Sequence, residues 1–397
     1  MKVTEGRCIR PAGFSAAGVA CGLKPEGRDL ALIASDRPAA AAGVFTTNRV
    51  QAAPIQVNRE HLVDNTAQAI VVNSRNANAC TGERGLADAR QTAREVAREL
   101  DVAPENVLVN STGVIGVPLP MDRIRSGIPV AVRDLRDDGW ADASAAIMTT
   151  DTVPKMASVR IRVDGRDFTV CGIAKGAGMI APHMATMLGF VATDAGMDPH
   201  QLETCLREAV DRSFNCITVD GDMSTNDTVL LLANGAAGER PLSRGEIASF
   251  QTGLNAVCVS LARQIARDGE GATKLITIRV DGAASTADAR TVGLSVGNSK
   301  LVKTAVFGRD PNWGRILCAI GYAGVPVDPD EVSVSMAGIP IYGQGRGLPF
   351  DTNDAIRALS AVEIDIEINL GPGNRSATIY TCDLTYDYVR INAEYTT

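Results

Sequence analysis

SVRIRVDGRDFTVCGI, residues 158–173, contains two runs of alternating residues on either side of Asp164–Gly165. Alternation of apolar and polar residues is typical of β-strands, and Asp–Gly between two such runs is a strong signal of a tight hairpin turn. The stretch therefore predicts two antiparallel strands, Ser158–Val163 and Thr169–Ile173. Antiparallel pairing argues against a doubly wound nucleotide-binding fold, whose sheet is mostly parallel.

Strand and helix patterns alternate along the rest of the chain. Further strands are predicted at Leu30–Ala34, Ala69–Asn73, Val107–Asn110, Thr228–Ala233 and Lys274–Val280. Helices are predicted at Leu86–Leu100, at Pro199–Phe214 and from Ser243 to about Arg267. Asp198 is the expected cap of the second helix, and Ser243 with Glu246 forms a capping box that begins the third. This mixture predicts an α/β or α+β class with layered sheets and helices.

The composition limits the classes of partner. The chain has 397 residues, of which 45% are apolar, and this is enough to build two domains. A net charge of −7 with scattered Lys and Arg does not suggest a nucleic-acid partner. No apolar run approaches the roughly 20 residues that span a bilayer, and the N-terminus lacks the apolar segment of a signal peptide. We therefore expect a cytoplasmic protein that binds neither nucleic acid nor membrane.

The nine cysteines are odd in number, far apart and mostly set among apolar residues. No CxxC pair occurs, so neither a zinc site nor a redox motif is predicted. Buried, reduced thiols are the expectation.

The segment KGAGMIAPHMATMLGFVATDAG, residues 175–196, contains Ala185 followed by Thr186. A threonine hydroxyl needs an adjacent base, and the α-amino group of an N-terminal threonine, with a pKa near ~8, can be that base. Cleavage between Ala185 and Thr186 creates this group, and the same hydroxyl can perform the cleavage by attacking the Ala185 carbonyl. By itself, an Ala–Thr pair is more typical of the start of a buried strand, here Met187–Ala192.

A series of motifs occurs in order along nearly the whole chain. They are PAGF (11–14), GLKPEGRDLALI (22–33), FTTNRVQAAP (45–54), VNSRNANACTG (72–82), NSTGVIG (110–116), TTDTVPK (149–155), KGAGMIAPHMATML (175–188), DGDMSTNDT (220–228) and FGRDPNWGRI (307–316). Together they closely resemble the ornithine acetyltransferase family, which provides glutamate N-acetyltransferase in arginine biosynthesis. In that family the chain is cut between the Ala and Thr of MATML. The resemblance implies an α chain of residues 1–185 and a β chain of residues 186–397.

The resemblance also implies the architecture. Residues 1–240 are expected to form an α/β/β/α layered sandwich that contains the cleavage site. Residues 241–397 are expected to form a second, smaller α/β domain. An α2β2 heterotetramer of the cleaved chains is the implied assembly.

The implied oxyanion hole is formed by Thr112 and Gly113, since a hydroxyl and an adjacent backbone N–H can both donate to a developing oxyanion. From composition alone, the two residues also fit a turn after a strand. The implied substrate-binding positions are Thr152, Lys175, Thr186, Glu270, Asn392 and Thr397. Lys175 can bind a substrate carboxylate, and Glu270 can pair with the ammonium of ornithine or relay protons near the Thr186 amine; either residue could otherwise be a surface charge.

The apolar run TCDLTYDYVRIN, residues 381–392, precedes the C-terminus. Chain ends are usually frayed. This run instead predicts a docked strand that returns to the site with Asn392 and Thr397.

Two positions depart from the family pattern. His183 stands where a short polar residue is usual, and Arg75 stands where a glycine is usual. We expect His183 to be a local variant rather than a catalytic base. Arg75 should alter the surface of its loop, and it conflicts with any backbone role at this position that needs a positive φ.

The resemblance implies that acetyl passes from N-acetylornithine to Thr186 and then to glutamate, without a metal or organic cofactor. It leaves open whether acetyl-CoA is a second acetyl donor, because monofunctional and bifunctional members share these motifs. Two other classes remain as alternatives: a self-processing amidase or aminopeptidase, and an uncleaved binding protein in which Thr186 is structural.

Overall fold

The computed structural model describes residues 2–181, 187–238 and 240–394. In these ranges the strands are β1 (Thr4–Glu5), β2 (Phe14–Val19), β3 (Leu30–Phe45), β4 (Thr66–Asn73), β5 (Val107–Ser111), β6 (Lys155–Val163), β7 (Arg166–Lys175), β8 (Leu188–Thr193), β9 (Thr228–Ala233), β10 (Leu275–Ala283), β11 (Ser333–Met336), β12 (Ile339–Gly343), β13 (Arg346–Gly347), β14 (Glu363–Asn369) and β15 (Arg375–Cys382). The helices are α1 (Ala53–His61), α2 (Gly82–Leu100), α3 (Met121–Arg133), α4 (Trp140–Ala146), α5 (Pro199–Arg212), α6 (Arg244–Arg267), α7 (Thr286–Asn298), α8 (Lys300–Phe307), α9 (Trp313–Gly321), α10 (Thr352–Ala358) and α11 (Tyr386–Glu394).

The predicted hairpin is confirmed. Strands β6 and β7 are antiparallel, and Val163 lies opposite Arg166 at the closed end. Asp164 and Gly165 both have positive φ, of 50° and 77°. This backbone matches the twist of the two strands, which is why Asp–Gly is favoured there.

Two predicted helix starts are also confirmed. The Asp198 carboxylate accepts from the backbone N–H groups of His200 and Gln201 at the start of α5. The Ser243 N–H donates to the Glu246 carboxylate at 2.7 Å at the start of α6, as a capping box requires.

Among the described residues, β1 to β9 form one nine-stranded sheet in the order β1-β6-β7-β8-β9-β3-β4-β5, with β2 also paired to β3. The long strand β3 joins its two halves. Its first part pairs with β2 and β4, and its second part, from Ala40, pairs with β9. The pairing with β4 shifts register between Ala34 and Ala39. Strand β3 therefore pairs with β2 before this irregular stretch and with β9 after it.

The two halves of this sheet form the middle layers of a sandwich. Phe190 of β8 and Ile70 of β4 belong to one apolar cluster between the halves. The next residue on each strand points to the opposite face, as the period of two in a β-strand requires. Val191 packs in the cluster that includes α5 and α6, and Val71 packs in the cluster that includes α2 and α3. The predicted α/β class with an α/β/β/α sandwich is confirmed.

A second sheet follows later in the chain. In the described ranges it has six strands in the order β13-β12-β11-β14-β10-β15. Helices α7 and α9 share its apolar core. Helix α6 packs against β6 and β7 of the first sheet, although it follows residue 240. The domain division at residue 240 stays a prediction, and the packing of α6 favours a division after this helix.

The predicted C-terminal strand is wrong for the described residues. Strand β15 ends at Cys382, and Tyr386–Glu394 is helix α11. The Thr385 hydroxyl oxygen accepts from the Tyr388 N–H at 3.4 Å, so a threonine before the segment helps to begin the helix. The Tyr, Val and Ile residues suggested a strand, but none of the residues of α11 is buried, and the capping by Thr385 favours a helix instead.

The expectation that all cysteines are reduced is wrong for one pair. The sulfur atoms of Cys8 and Cys171 are bonded to each other, with their Cα atoms 5.5 Å apart. The Ile9 N–H donates to the Ser158 hydroxyl at 2.9 Å. Because Ser158 on β6 lies opposite Cys171 on β7, this bond holds the N-terminal segment beside Cys171. The other seven cysteines are free, but Cys80 and Cys318 are exposed, so the expected burial is wrong for these two.

No helix in the described part of the chain is both long and apolar enough to cross a membrane.

Candidate active site

A cavity of about 310 Å³ lies at the ends of β5 and β7, beside helix α11. Five of the residues predicted from the sequence line it: Thr112, Gly113, Lys175, Glu270 and Asn392. They come from four separate parts of the chain. The fold therefore brings together a hydroxyl, a backbone turn, a cation, a carboxylate and an amide around one space.

Thr112 and Gly113 follow strand β5. The Thr112 N–H donates to the Asn73 carbonyl at 3.0 Å, which extends the parallel pairing of β4 and β5. Since this N–H is used by the fold, the Thr112 hydroxyl and the Gly113 N–H are the candidate donors to a ligand.

The turn at Gly113 depends on its contact with the loop after β4. Gly113 has a φ of +127°. The Val114 N–H donates to the Arg75 carbonyl, and the Ala77 N–H donates to the Val114 carbonyl, both at 2.9 Å. These paired bonds fix the distance between the two loops.

Arg75 adopts a φ of +90°, and its side chain is exposed. The expectation that Arg75 argues against a positive φ at this position is therefore wrong, because the backbone keeps a conformation suited to glycine although glycine is absent. A non-glycine residue in such a conformation costs roughly 1–2 kcal/mol. The surrounding hydrogen bonds hold the loop against this cost.

Asn226 joins the loops and was not singled out from the sequence, although it lies in the DGDMSTNDT motif. Its side-chain amide donates to the Ala77 carbonyl at 2.6 Å and to the Ser111 carbonyl at 2.8 Å. Asn226 is buried and lines the cavity. Because both amide hydrogens of this buried asparagine are bonded, it fixes the loop after β4 and the end of β5 relative to each other.

Lys175 ends strand β7, and only 3% of it is exposed. Burial lowers the pKa of its ammonium group. The Asp151 carboxylate gives the largest opposing effect, which favours the charged form. A buried ammonium at a cavity wall can bind a carboxylate strongly, because water screens it little.

The loop after Lys175 is held by Asp220, which the sequence analysis did not single out. The Asp220 carboxylate accepts from the N–H groups of Met179 at 2.6 Å and Ile180 at 2.9 Å. Burial raises the pKa of Asp220, and these backbone hydrogen bonds oppose the rise. Gly178 lies so close to Glu270 that an added Cβ would be 2.3 Å from its carboxyl carbon.

Helix α11 covers this side of the cavity. The Asn392 amide donates to the Glu270 carboxylate at 2.8 Å, and the Tyr388 hydroxyl donates to Asp220 at 3.3 Å. The Glu270 N–H donates to the Ala177 carbonyl at 2.8 Å. Asn392 therefore reaches the site from a helix rather than from the predicted strand.

Thr152 is not among the residues that line the cavity in the described structure. It is exposed, and both its N–H and its hydroxyl donate to the Asp268 carboxylate. The structure thus separates Thr152 from the other predicted substrate positions that it describes.

Ala185, Thr186, Thr397 and His183 lie outside the described residues. Their predicted roles stay predictions.

Met187, the first described residue after this gap, donates its N–H to the Asp227 carboxylate at 2.8 Å. Asp227 is fully buried, and its second oxygen has no hydrogen-bond partner within the described residues. Burial raises the pKa of Asp227 well above its usual value, although the Met187 N–H and the Lys175 ammonium act in the opposite direction. Asp227 was not predicted as a site residue, because a single Asp in a polar loop has no distinctive sequence pattern.

The arrangement suits a small ligand that carries both charges. The ammonium of Lys175 and the carboxylate of Glu270 line one cavity with the donors at Thr112 and Gly113. Amino acids have a carboxylate and an ammonium, and a carbonyl under attack develops an oxyanion. In the described ranges, no three His, Cys, Asp or Glu side chains lie close enough together to hold a metal ion.

Known proteins match the chain over its full length. The ArgJ family profile matches residues 15–397. The arginine biosynthesis bifunctional protein ArgJ of Symbiobacterium thermophilum is 51% identical over 402 aligned residues, which cover 100% of both chains. The protein of the same name from Geobacter sulfurreducens is 51% identical and covers 97% of this chain and 99% of its own.

A solved structure is also similar. The crystal structure of arginine biosynthesis bifunctional protein ArgJ from Bacillus halodurans has 45% sequence identity and a TM-score of 0.51. The match covers 52% of this chain and 98% of the solved chain. A profile that matches almost every residue, together with relatives at this identity, leaves one assignment: the chain belongs to the ArgJ family.

Proposed function

We propose that the protein is a glutamate N-acetyltransferase of arginine biosynthesis that moves acetyl from N-acetylornithine to glutamate. The observation that carries this proposal is the meeting of Thr112, Gly113, Lys175 and Glu270 around one cavity. Membership of the ArgJ family supports it, because the relatives are named as arginine biosynthesis proteins.

The two substrates fit the charges of the cavity. N-acetylornithine and glutamate each have an α-carboxylate, for which Lys175 is the buried cation. Glu270, held by the Asn392 amide, is the partner for the side-chain ammonium of ornithine. An oriented pair of opposite charges fixes both ends of the donor substrate and so places its acetyl carbonyl.

Thr186 is the proposed nucleophile. After cleavage between Ala185 and Thr186, its α-amino group takes the hydroxyl proton as the oxygen attacks the acetyl carbonyl. The oxyanion that forms receives hydrogen bonds from the Thr112 hydroxyl and the Gly113 N–H. Collapse breaks the amide bond, and the ammonium of Thr186 returns the proton to the departing ornithine amine.

The second half reverses these steps. The neutral amine of glutamate attacks the acetyl ester of Thr186, and the same two donors stabilise the second oxyanion. The ester bond breaks, the Thr186 oxygen regains a proton that the glutamate nitrogen loses, and N-acetylglutamate leaves. Each half is an exchange of one acyl bond for another, so no oxidant or reductant is needed.

The size of a solved relative supports cleavage. The Bacillus halodurans chain is matched almost completely by about half of this chain. A cut between Ala185 and Thr186 leaves two products that are each about half of the whole. Two cleaved chains that stay together, as an α2β2 heterotetramer in the cytoplasm, complete the proposal.

Acetyl-CoA is the proposed second acetyl donor. The name of the relatives, bifunctional protein, supports this choice. In that reaction the thioester replaces N-acetylornithine as the source of acetyl, and the Thr186 ester is again the intermediate.

One experiment tests the proposal and separates it from its alternatives. Intact-mass measurement of purified protein is expected to show two chains with a break before Thr186, and Thr186→Ala is expected to remain uncut. Incubation with N-acetylornithine and glutamate should then give N-acetylglutamate. Release of acetate without glutamate would identify an amidase instead, and an uncut, inactive wild-type chain would identify a binding protein.

A second arm tests the donor. Acetyl-CoA and glutamate are incubated with the wild-type protein and with Thr186→Ala. Formation of N-acetylglutamate only by the wild type supports the second donor, and its absence in both limits the enzyme to N-acetylornithine.

A further inference from the structure

Buried charges of alternating sign lie beside the cavity. The ammonium of Lys155, with no exposed surface, contacts the Asp151 carboxylate at 2.7 Å and the Asp268 carboxylate at 2.6 Å. Asp268 also accepts from Thr152, whose side chain is exposed. The three charges thus run from the surface toward the interior.

Asp151 connects this line of charges to the cavity. One of its oxygens accepts from the Gly176 N–H at 2.6 Å, and the other accepts from the Thr149 N–H at 3.0 Å. Thr149 lines the cavity, and Gly176 directly follows Lys175, which lines it too. Asp151 therefore fixes the backbone at Thr149 and at Gly176, the residue next to Lys175.

Stability alone is a weak explanation for these charges. Moving an ammonium and a carboxylate out of water costs several kcal/mol each, and apolar residues of the same volume often give an equally stable core. Charges kept at such a cost next to a cavity are often functional. The hydrogen bond from the Gly176 N–H places Asp151 next to Lys175 in the chain and indicates which group these charges serve.

Both positively and negatively charged groups act on the pKa of Lys175. Burial lowers its pKa, and Asp151 is the first of the charged groups that oppose this. Burial raises the pKa of Asp227. The pKa of Asp151 is instead lowered to about 2, because the ammonium groups of Lys175 and Lys155 outweigh the effect of its burial. The charged or titratable groups that act on Lys175 include Asp151, Lys155, Asp227, Glu270 and Lys24.

We propose that Asp151 is a positioning residue for Lys175: its carboxylate, paired with Lys155, accepts from the Gly176 N–H and so fixes Lys175 at the cavity wall with a negative charge nearby. The inference rests on the proposed function, in which Lys175 binds the substrate carboxylate. Asp151 does not line the cavity and touches no substrate. It acts through the charge of Lys175 and through the backbone at Gly176.

Removal of the negative charge of Asp151 and removal of the positive charge of Lys155 should shift the pKa of Lys175 in opposite directions. Asp151→Asn removes a negative charge and keeps an oxygen that can accept from Gly176, so the pKa of Lys175 should fall. Lys155→Met removes a positive charge, so the pKa of Lys175 should rise. Loss of structure alone cannot produce shifts of opposite sign.

Asp268→Asn is the matched control. It neutralises the other carboxylate bound to Lys155, but Asp268 accepts from the Thr152 N–H rather than from the backbone beside Lys175. Its effect on folding should resemble that of Asp151→Asn, whereas the pKa of Lys175 should fall by less than in Asp151→Asn. This control decides the question even if Lys155→Met does not fold.

The measurement is competitive labelling of the processed enzyme with acetic anhydride over a range of pH, read for the Lys175 peptide by mass spectrometry. Only the neutral amine reacts, so the midpoint of the rate reports its pKa. The midpoint should fall by about 1–3 pH units in Asp151→Asn, the scale of one nearby opposite charge. An unchanged midpoint in Asp151→Asn, or an equal fall in Asp268→Asn, would overturn the inference.

A second readout ties the result to substrate. In Asp151→Asn the alkaline limb of kcat/KM for N-acetylornithine should move to lower pH, with KM affected more than kcat. If the wild type shows no acetyl transfer, the proposed function fails, but the labelling result still decides the role of Asp151. If transfer is normal and the limb does not move, the positioning role is wrong while the function stands.

Discussion

Gly113 and Arg75 are in direct backbone contact: a Cβ added to Gly113 would lie 2.2 Å from the carbonyl carbon and oxygen of Arg75. No real Cβ tolerates this distance. The contact sets the spacing between the loop after β4 and the turn after β5, and this turn holds both proposed oxyanion donors. The contact of Gly113 with Arg75 therefore determines where the two proposed oxyanion donors lie.

Gly113→Ala should reduce both activity and stability. The added methyl group would displace the Arg75 backbone and move the donors, so kcat/KM should fall by about 10²-fold or more, the scale of a lost oxyanion donor. The free energy of unfolding should fall by about 1–3 kcal/mol because of the positive φ. Gly116→Ala is the control, since Gly116 also has a positive φ, of 81°, but its added Cβ meets no described atom within 4 Å. Equal loss of activity in both variants would contradict the role of the contact.

Thr112→Ala should lower kcat by ~10–10³-fold while the fold persists, because one donor to the oxyanion is lost. Self-cleavage should also slow, since it passes through an oxyanion as well. Thr112→Ser keeps the hydroxyl and should retain most of both activities. Steady-state kinetics on fully processed protein, verified by intact mass, is the measurement. Wild-type turnover in Thr112→Ala would remove Thr112 from the oxyanion hole.

Arg75→Gly should not destabilise the protein and should raise the free energy of unfolding by up to about 1 kcal/mol. Glycine adopts the φ of +90° at this position without strain, and its greater freedom in the unfolded chain offsets part of the gain. Arg75→Ala keeps the strain and should show no gain. Urea unfolding of the three proteins gives the comparison, and a gain as large in Arg75→Ala as in Arg75→Gly would point to the charge instead of the backbone.

Asp227 should make the folded protein less stable as the pH rises. Its folded-state pKa is raised by burial, so above the usual pKa the folded protein keeps a proton that the unfolded chain has lost. The free energy of unfolding then falls with rising pH up to the folded-state pKa. Asp227→Asn lacks this pH-dependent loss and should gain stability relative to the wild type as the pH rises above the usual carboxyl pKa, measured by urea unfolding.

Asp151→Asn serves as the comparison for that experiment. The pKa of Asp151 is lowered to about 2, so its contribution is present above the usual carboxyl pKa and is lost only as the pH falls through about 2. Over the part of this pH range in which Lys175 stays charged in both proteins, its difference from the wild type should stay constant. If both variants change with pH in the same way, the contrast between the two carboxyl groups is wrong.

His183→Asn should keep self-cleavage and most transfer activity. The α-amino group of Thr186 sits on the same residue as the hydroxyl, whereas His183 belongs to the other chain after the cut. Activity of both proteins should rise with pH with the same apparent pKa. A loss of roughly a hundredfold or more in fully cleaved His183→Asn, the scale of a lost general base, would make His183 the leading base.

Local patterns in the sequence were sufficient for several features. The turn at Asp164–Gly165, the cap at Asp198 and the capping box at Ser243 were predicted, because each depends on backbone and side-chain preferences within a few residues. The family resemblance that the ordered motifs carry also implied Thr112, Gly113, Lys175, Glu270 and Asn392, which line one cavity. The alanine-rich second half of β3 was not predicted, because small residues carry little strand signal.

Packing between distant segments decided the rest. Asn392 reaches Glu270 from a helix that looked like a strand, and Thr152 donates to Asp268 instead of lining the cavity. The contacts of Lys155 with Asp151 and Asp268, and the bond between Cys8 and Cys171, join residues that the local sequence gives no reason to pair. The sequence alone determined the local turns and the identity of the chemical groups. Only the tertiary structure decided which of these groups meet, because such contacts depend on how whole strands and helices pack rather than on the preferences of neighbouring residues.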